Sequence, residues 1–341
     1  MTKPDGSTVE TTKNPDGSQQ VVNTDKDGTV TTTTTDKAGN KSETAEKTDG
    51  TSQTTVTNKD GSSSITSVAE SGQMEVEVKL PSSVVSSAAE KEEAVVLPMP
   101  SVPVTSDREN TPTVTVDLPS GTSTKVEIPV EGVTVGTVAV LVKSDGSEAV
   151  IRTSVTTENG VAVILSDGDT VKIVDNSKDF ADVSGSYWAS EAIDFASSRE
   201  LLTGKTETVF APSGTVTRQQ VWMILARLSG ADPSDMAEAK TWAVENGISD
   251  GSTPAASVSR QQLATLLYRY AVQFGYDVSS GEDTNILSYT DAAQLNEYAV
   301  PAMQWACGAG IINGTGDGST LSPQGVSTRA QLAVMLYRWL A

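Results

Sequence analysis

The sequence predicts a multidomain protein that joins β structure to an all-α C-terminal unit. A Thr-rich β-repeat array comes first, then a small all-β sandwich or barrel, then a helical region made of three repeats. Three observations carry this reading. A turn dipeptide recurs every 11 residues, starting at positions 5, 16, 27, 38, 49 and 60. Six short β-rich runs separated by turn signals fill residues 112–178. From Asp179 onward the apolar period is helical, and one helix-start motif returns three times.

The array occupies residues 1–68. Its turn dipeptides are Asp5-Gly6, Asp16-Gly17, Asp27-Gly28, Ala38-Gly39, Asp49-Gly50 and Asp60-Gly61. Asp-Gly favours a two-residue type I′ hairpin turn, in which both central residues need positive φ. Between the turns run stretches such as 29-TVTTTTT-35, which have high β propensity. The expected structure is an antiparallel meander with one strand and one turn per repeat. Its apolar residues are few and drift in phase, so the reading is an extended single-layer sheet or a partly disordered stalk. Asp25-Lys26-Asp27-Gly28 lacks the D-x-D-x-D-G pattern and the bidentate Glu of a calcium loop, and reads as a turn.

Residues 69–111 combine the alternating run 74-MEVEVKL-80 with Ser-, Pro- and Glu-rich sequence, read as a strand followed by linker. The runs of 112–178 include 113-TVTVDL-118, 125-KVEIPV-130, 137-TVAVLVK-143 and 161-VAVIL-165, bounded by Asp145-Gly146, Asn159-Gly160 and Asp167-Gly168. Nothing there has catalytic chemistry, so the domain reads as a spacer.

Composition removes whole classes of function. The chain has 341 residues and a formal charge of -20, which argues against nucleic acid and anionic membranes as partners. It has no histidine, so Ser-His-Asp and Cys-His catalysis and imidazole-based zinc sites are excluded. The single cysteine, Cys307, permits no internal disulfide and no CxxC site, and reads as a small core residue. No metal site and no cofactor is read. No run approaches the ~20 apolar residues of a membrane span. The N-terminus MTKPDGSTVE has no basic-then-apolar leader and opens inside a repeat, which predicts a C-terminal piece of a longer secreted protein.

The helical region, 179–341, carries three capping boxes at Thr217, Ser259 and Thr328, each with Gln three residues on (Gln220, Gln262 and Gln331). Arg218, Arg260 and Arg329 then fall at first helical positions, where the helix field disfavours a cation. An anionic ligand reverses that sign, because free backbone N–H groups and a guanidinium fork would converge on one carboxylate. A second arginine follows ten residues after each cap, at Arg227, Arg269 and Arg338, where a helix C-terminus accommodates it. Upstream lie the matched blocks 195-FASSRELLTG-204, 242-WAVENGISDG-251 and 305-WACGAGIING-314, whose Phe195, Trp242 and Trp305 read as core. The repeats fall at about 179–230, 231–281 and 282–341. The loop from block to cap is 13 residues in the first, 8 in the second and 14 in the third. The first and third also share a leading aromatic-x-Asp, ending in Asp182 and Asp291, and an aromatic before the block, Trp188 and Tyr298. The middle repeat has Asp235 instead.

The order of 179-DFADV-183, Trp188-Ala189, Phe210-Ala211-Pro212 and Thr217-Arg218-Gln219-Gln220, with its echo in Tyr289-Thr290-Asp291, Leu321-Ser322-Pro323 and Thr328-Arg329-Ala330-Gln331, resembles the S-layer homology (SLH) domain in three copies. The resemblance implies a pseudo-threefold all-helical unit that holds secreted proteins non-covalently on the bacterial cell wall. Its partner would be a peptidoglycan-linked secondary polysaccharide bearing acidic ketal-pyruvate groups, bound in grooves between copies. Carried over, the polysaccharide-binding residues are Arg218, Arg260 and Arg329, the caps Thr217 and Thr328, Asp182 with Trp188, and Asp291 with Tyr298. The middle copy offers only Arg260 and a short loop, so most binding is expected from Arg218 and Arg329. The implied setting is extracellular, at the cell wall and surface, without membrane insertion and without enzymatic activity, and with self-association in a surface layer as a further partnership. Two other classes fit the same chain: an adhesin or stalk whose β-repeats are the functional part, and the anchor piece of a larger wall-associated hydrolase, although no acid pair stands out for such chemistry.

Overall fold

A computed structural model describes residues 2–341. The chain divides into two compact units, one ending at Asn176 and one running Ser177–Ala341.

The first unit is β. Its array strands are β1 (Thr8–Lys13), β2 (Gln19–Thr24), β3 (Val30–Thr35), β4 (Lys41–Glu46), β5 (Ser52–Thr57) and β6 (Ser63–Val68). They form an antiparallel meander, with β7 (Met74–Lys79) next in line. The chain continues through α1 (Ser82–Lys91), β8 (Val95–Val96), β9 (Val102–Pro103), β10 (Thr113–Asp117), β11 (Ser123–Glu131), β12 (Thr137–Val142), β13 (Glu148–Val150), β14 (Val155–Thr156), β15 (Gly160–Ser166) and β16 (Thr170–Asp175). One sheet has eleven strands in the order β1 to β7, β10, β16, β12, β13; the other is built around β11 and β15.

The boundaries expected at 68 and 112 are thus bridged by hydrogen bonds. Strand β7 pairs antiparallel with β6 and parallel with β10, so the array extends one sheet of the core-bearing domain. The alternation of 74-MEVEVKL-80 explains why: Val76 and Val78 point inward and are buried with Val114, Val116, Ile128 and Val163. One strand further out the inward positions are Ser64 and Thr66, still buried. Beyond them the sheet is a single layer held by cross-strand pairs such as Thr44 with Thr54, whose hydroxyls lie 3.0 Å apart. Each such pair contributes about 0.2–1 kcal/mol.

The turns are not type I′. In the 14–18 turn the Asn14 N–H donates to the Ser18 carbonyl at 2.9 Å and the Gly17 N–H to the Asn14 carbonyl at 3.1 Å, which encloses three residues. Only glycine takes positive φ, between 84° and 89° from Gly6 to Gly72. This is a type I turn closed by a left-handed residue. Pro4 and Pro15 occupy its first position, where proline's fixed negative φ suits type I and rules out type I′.

The second unit is helical, with α2 (Ser190–Ser198), α3 (Arg218–Leu228), α4 (Met236–Glu245), α5 (Arg260–Gln273), α6 (Val300–Gly308) and α7 (Arg329–Leu340). These make three helix–loop–helix segments. In each capping box the glutamine carboxamide accepts the cap residue's N–H at 3.0 Å. The Ser259 and Thr328 hydroxyls accept the return bonds, whereas the Thr217 hydroxyl takes the same place without a bond of ordinary geometry. The second helix of each segment packs on the first helix of the next: α3 on α4, α5 on α6, and α7 back on α2. At the centre the residue before each cap joins a closed ring. Val216 N–H donates to Ser327 C=O at 3.1 Å, Ser327 to Val258 at 2.9 Å, and Val258 to Val216 at 2.9 Å. No helix among the described residues is long and apolar enough to cross a membrane.

Candidate grooves between helical segments

The arginines at the helix starts follow the same circuit. Arg218 of the first segment donates its Nε–H to the Ser252 carbonyl of the middle one at 3.0 Å. Arg260 of the middle segment reaches the Leu321 carbonyl of the third at 2.8 Å, and Arg329 of the third reaches the Phe210 carbonyl of the first at 2.8 Å. The first two backbone N–H groups of each helix go the same way. Those of Arg218 and Gln219 bond to Ala256 and Pro254, those of Arg260 and Gln261 to Gly325 and Pro323, and those of Arg329 and Ala330 to Gly214 and Pro212. The expected cluster of free N–H groups around one carboxylate is therefore not formed. The next segment's loop supplies carbonyl oxygens that satisfy these donors, as buried helix ends require.

The loops that receive the arginines share a strained residue after the acceptor. Ala211, Thr253 and Ser322 have φ of 59°, 44° and 51°. In the first and third loops an aspartate holds this bend. Asp182 accepts the Phe210 and Ala211 N–H groups at 2.8 and 2.7 Å, and Asp291 accepts those of Leu321 and Ser322 at 2.7 and 2.8 Å. Partial burial alone would raise the Asp182 carboxyl, but its backbone donors outweigh that and hold it below the usual carboxylate value. The middle loop has no such leading aspartate. There Asp250, from the block end, accepts the Ser252 N–H at 3.0 Å and the Ser252 hydroxyl at 2.8 Å.

Side-chain volumes compensate around the circuit. The residue accepting the arginine Nε–H is Phe210, Ser252 or Leu321, and four positions past that arginine stands Ala333, Trp222 or Ala264 respectively. Phe210 and Leu321 are fully buried, whereas Ser252 is exposed and Trp222 fills the interior instead. The Arg218 guanidinium lies 5.6 Å from the Trp222 ring, and that of Arg329 lies 4.4 Å from Phe210.

Two grooves open beside these junctions. One, about 460 Å³, is lined by Arg260, by Ile312 and Asn313 of the third segment, by Gln331 and Arg338 of α7, and by Trp188 of the first segment. The other, about 380 Å³, is lined at corresponding positions by Arg329, Leu202 and Thr203, Gln220 and Arg227, and Asp235. Each groove thus draws on all three segments. Arg260 and Arg329 are only 6% and 5% exposed, and neither has a carboxylate within ion-pair distance among the described residues. Burial draws both guanidinium groups below their usual value. Their second bonds go to the Asn313 and Thr203 carbonyls, at 3.1 and 2.5 Å, leaving further N–H donors on each fork.

The other residues picked from the sequence fall in different places. Arg218 is ion-paired with Asp250 at 3.0 Å and bonded to the Ser249 hydroxyl at 2.9 Å. Trp188 is 62% exposed on the wall of the larger groove. Tyr298 is half-exposed on a 3-10 turn and lines neither groove. Asp182, Asp291, Thr217 and Thr328 shape loops and helix starts and do not line the two grooves. Asp235, which stands where the other copies carry an aromatic, caps α4 by accepting the Ala237 and Glu238 N–H groups. Arg227 and Arg338, expected to serve helix ends alone, line the grooves instead. Their constant ten-residue offset from the caps was the available signal, since it brings both back to the face of Gln220 and Gln331. Cys307 is half-buried in α6, and burial pushes its thiol up to about 11, which keeps it protonated.

A family model described as the S-layer homology domain matches residues 179–221 and 288–333. The chain is also similar to an "Exoglucanase XynX" of Acetivibrio thermocellus, 26% identical over 197 residues, covering 52% of this chain and 18% of that protein. It is 27% identical over 190 residues to an "Endoglucanase" of Bacillus sp. (strain KSM-635), covering 51% of this chain and 20% of the relative. An "Amylopullulanase" of Thermoanaerobacterium thermosulfurigenes is 26% identical over 178 residues, covering 47% and 9%. The chain spans at most a fifth of these curated relatives' length.

Proposed function

From the premise that this chain carries S-layer homology domains and so associates with the bacterial cell wall, we propose that residues 179–341 are a three-copy, pseudo-threefold anchor for a secreted protein. Its grooves bind an acidic, pyruvylated secondary cell-wall polysaccharide without a covalent bond. The observation that carries this reading is the pair of buried guanidinium groups, Arg260 and Arg329, set in grooves with Asp291 and Asp182 nearby but no carboxylate in direct ion-pair contact. A buried cation is costly unless paired. A ligand carboxylate supplies a directly bonded partner through charge-assisted bonds, with Arg338 or Arg227 as a second cation at the same groove. Trp188 offers an exposed ring against which a sugar can stack.

Two grooves on one unit, facing a polymer that repeats the same acidic sugar, gain affinity through effective concentration. The circuit of arginine and ring bonds supports treating the middle segment as a third copy, since it takes part on equal terms. The test is sedimentation of the chain with purified walls before and after mild acid removal of ketal pyruvate. Binding should be lost with the pyruvate. Unchanged binding to stripped walls would remove the acidic-sugar reading.

A second reading concerns the larger protein. Three relatives carry the names of glycan-degrading enzymes, and the similarity covers at most a fifth of each. This supports the chain as the non-catalytic anchor piece of a wall-associated hydrolase, with the β unit as a stalk or spacer.

A further inference from the structure

We infer that Asp250 acts as a built-in stand-in for the ligand: its carboxylate occupies the Arg218 guanidinium and withdraws that junction from anion binding, so that only the Arg260 and Arg329 grooves bind acidic sugar. The inference rests on the reading of the grooves given above.

The three junctions share one geometry and differ in where the loop-holding carboxylate sits: Asp182 and Asp291 lie near Arg329 and Arg260 without bonding them, whereas Asp250 bonds Arg218 directly. Block-end residues Thr203, Asp250 and Asn313 occupy the same position, followed by glycine in each case. At Arg329 and Arg260 the second guanidinium bond goes to the backbone carbonyl of Thr203 or Asn313. At Arg218 it goes to side chains, Asp250 Oδ1 at 3.0 Å and the Ser249 hydroxyl at 2.9 Å. The hydroxyl replaces Leu202 and Ile312 of the sister segments. A guanidinium already bonded to a carboxylate gains little from a second one, because the incoming anion meets the repulsion of the first.

The structure also shows why the acid is there. The middle loop is short and has no leading aspartate to hold its bend at Thr253. Asp250 takes over that work through the Ser252 N–H and hydroxyl, and the oxygen that holds the loop is the one on Arg218. Loop support and charge neutralisation are therefore one feature. The Arg218 side chain remains 16% exposed, so access does not explain its withdrawal.

The test uses the full chain with isotope-labelled arginine, following the Nε–H resonances of Arg218, Arg260 and Arg329. The probe is a methyl glycoside bearing a 4,6-linked ketal pyruvate. In the native protein the Arg260 and Arg329 signals should move with a common saturation curve while Arg218 stays fixed. Asp250→Asn keeps the acceptor for Ser252 and removes the charge; it should bring the Arg218 signal into the titration and raise the stoichiometry from two to three. Asp250→Thr, which installs the residue type of Thr203, should do the same. An Arg218 signal that moves in the native protein overturns the inference, as does one that stays fixed in both folded variants. If all three signals stay fixed in every protein, the reading of the grooves fails instead.

Discussion

Arg329, at the first position of the last helix, donates its Nε–H to the carbonyl oxygen of Phe210, 2.8 Å away and 119 residues earlier in the chain. The bond closes a circuit in which each segment's arginine holds the next segment's loop. A cation that looks misplaced on its own helix is well placed once the neighbouring loop turns its carbonyls toward it.

Removing that side chain should cost stability. Arg329→Ala leaves the carbonyl of fully buried Phe210 without its donor and removes the bond to the Thr203 carbonyl at the groove wall. An orphaned buried acceptor costs about 1–3 kcal/mol, so the variant should lose about 2–4 kcal/mol in chemical denaturation. Arg218→Ala, at a more exposed junction, should lose less.

Asp182 and Asp291 should behave as loop supports. Replacing either with alanine removes two charge-assisted backbone bonds, about 1–2 kcal/mol at these exposed or half-buried positions, measurable as a lower melting temperature. For Asp182 the pH dependence has a definite sign. Its carboxyl is held below its ordinary value of 3.8, so its contribution is complete above that value and is lost as pH falls below it. The Asp182→Ala variant should therefore lose the native advantage near neutral pH and converge on it in acid.

Trp222 is a packing residue, fully buried in place of the loop side chain that the middle segment lacks, and its indole N–H has no partner. Trp222→Ala should destabilise by about 3–5 kcal/mol. Trp222→Phe removes the unpaired donor and should stay within about 1.5 kcal/mol of the native protein in the same denaturation experiment.

In the array, Gly17→Ala places a Cβ in open space but at φ +89°, so its cost comes from the backbone alone. It should destabilise the β1–β2 hairpin by about 1 kcal/mol, seen as faster amide exchange in those strands.

The architecture is legible in the sequence where it depends on local pattern. Strand alternation in 74-MEVEVKL-80, the Thr-rich runs and the three capping boxes announce strands and helix starts directly. The S-layer homology resemblance is carried by motifs at 179–183 and 217–220 that need no tertiary information. The turn type is the local feature that misleads: Asp-Gly alone points to type I′, and only the prolines before it, Pro4 and Pro15, exclude the positive φ that type I′ needs. The partners of the arginines lie far along the chain, so spacing does not reveal their destinations. The pairing of Arg218 with Asp250 is hidden for the same reason, although Asp250 breaks the pattern set by Thr203 and Asn313. Trp188 and Arg338 come together in one groove only when three segments close on one another.

On the proposed reading, Arg260 and Arg329, and not Arg218, hold the wall polysaccharide. This is tested most directly by sedimenting the folded chain with purified, pyruvate-bearing walls, comparing Arg218→Lys with the double substitution Arg260→Lys and Arg329→Lys. Lysine keeps each charge but loses the fork that grips a carboxylate while its other arm holds a loop carbonyl. Native-like binding is expected for Arg218→Lys and at least a roughly tenfold loss for the double variant. Native-like binding by the double variant, or an equal loss from Arg218→Lys alone, would contradict it.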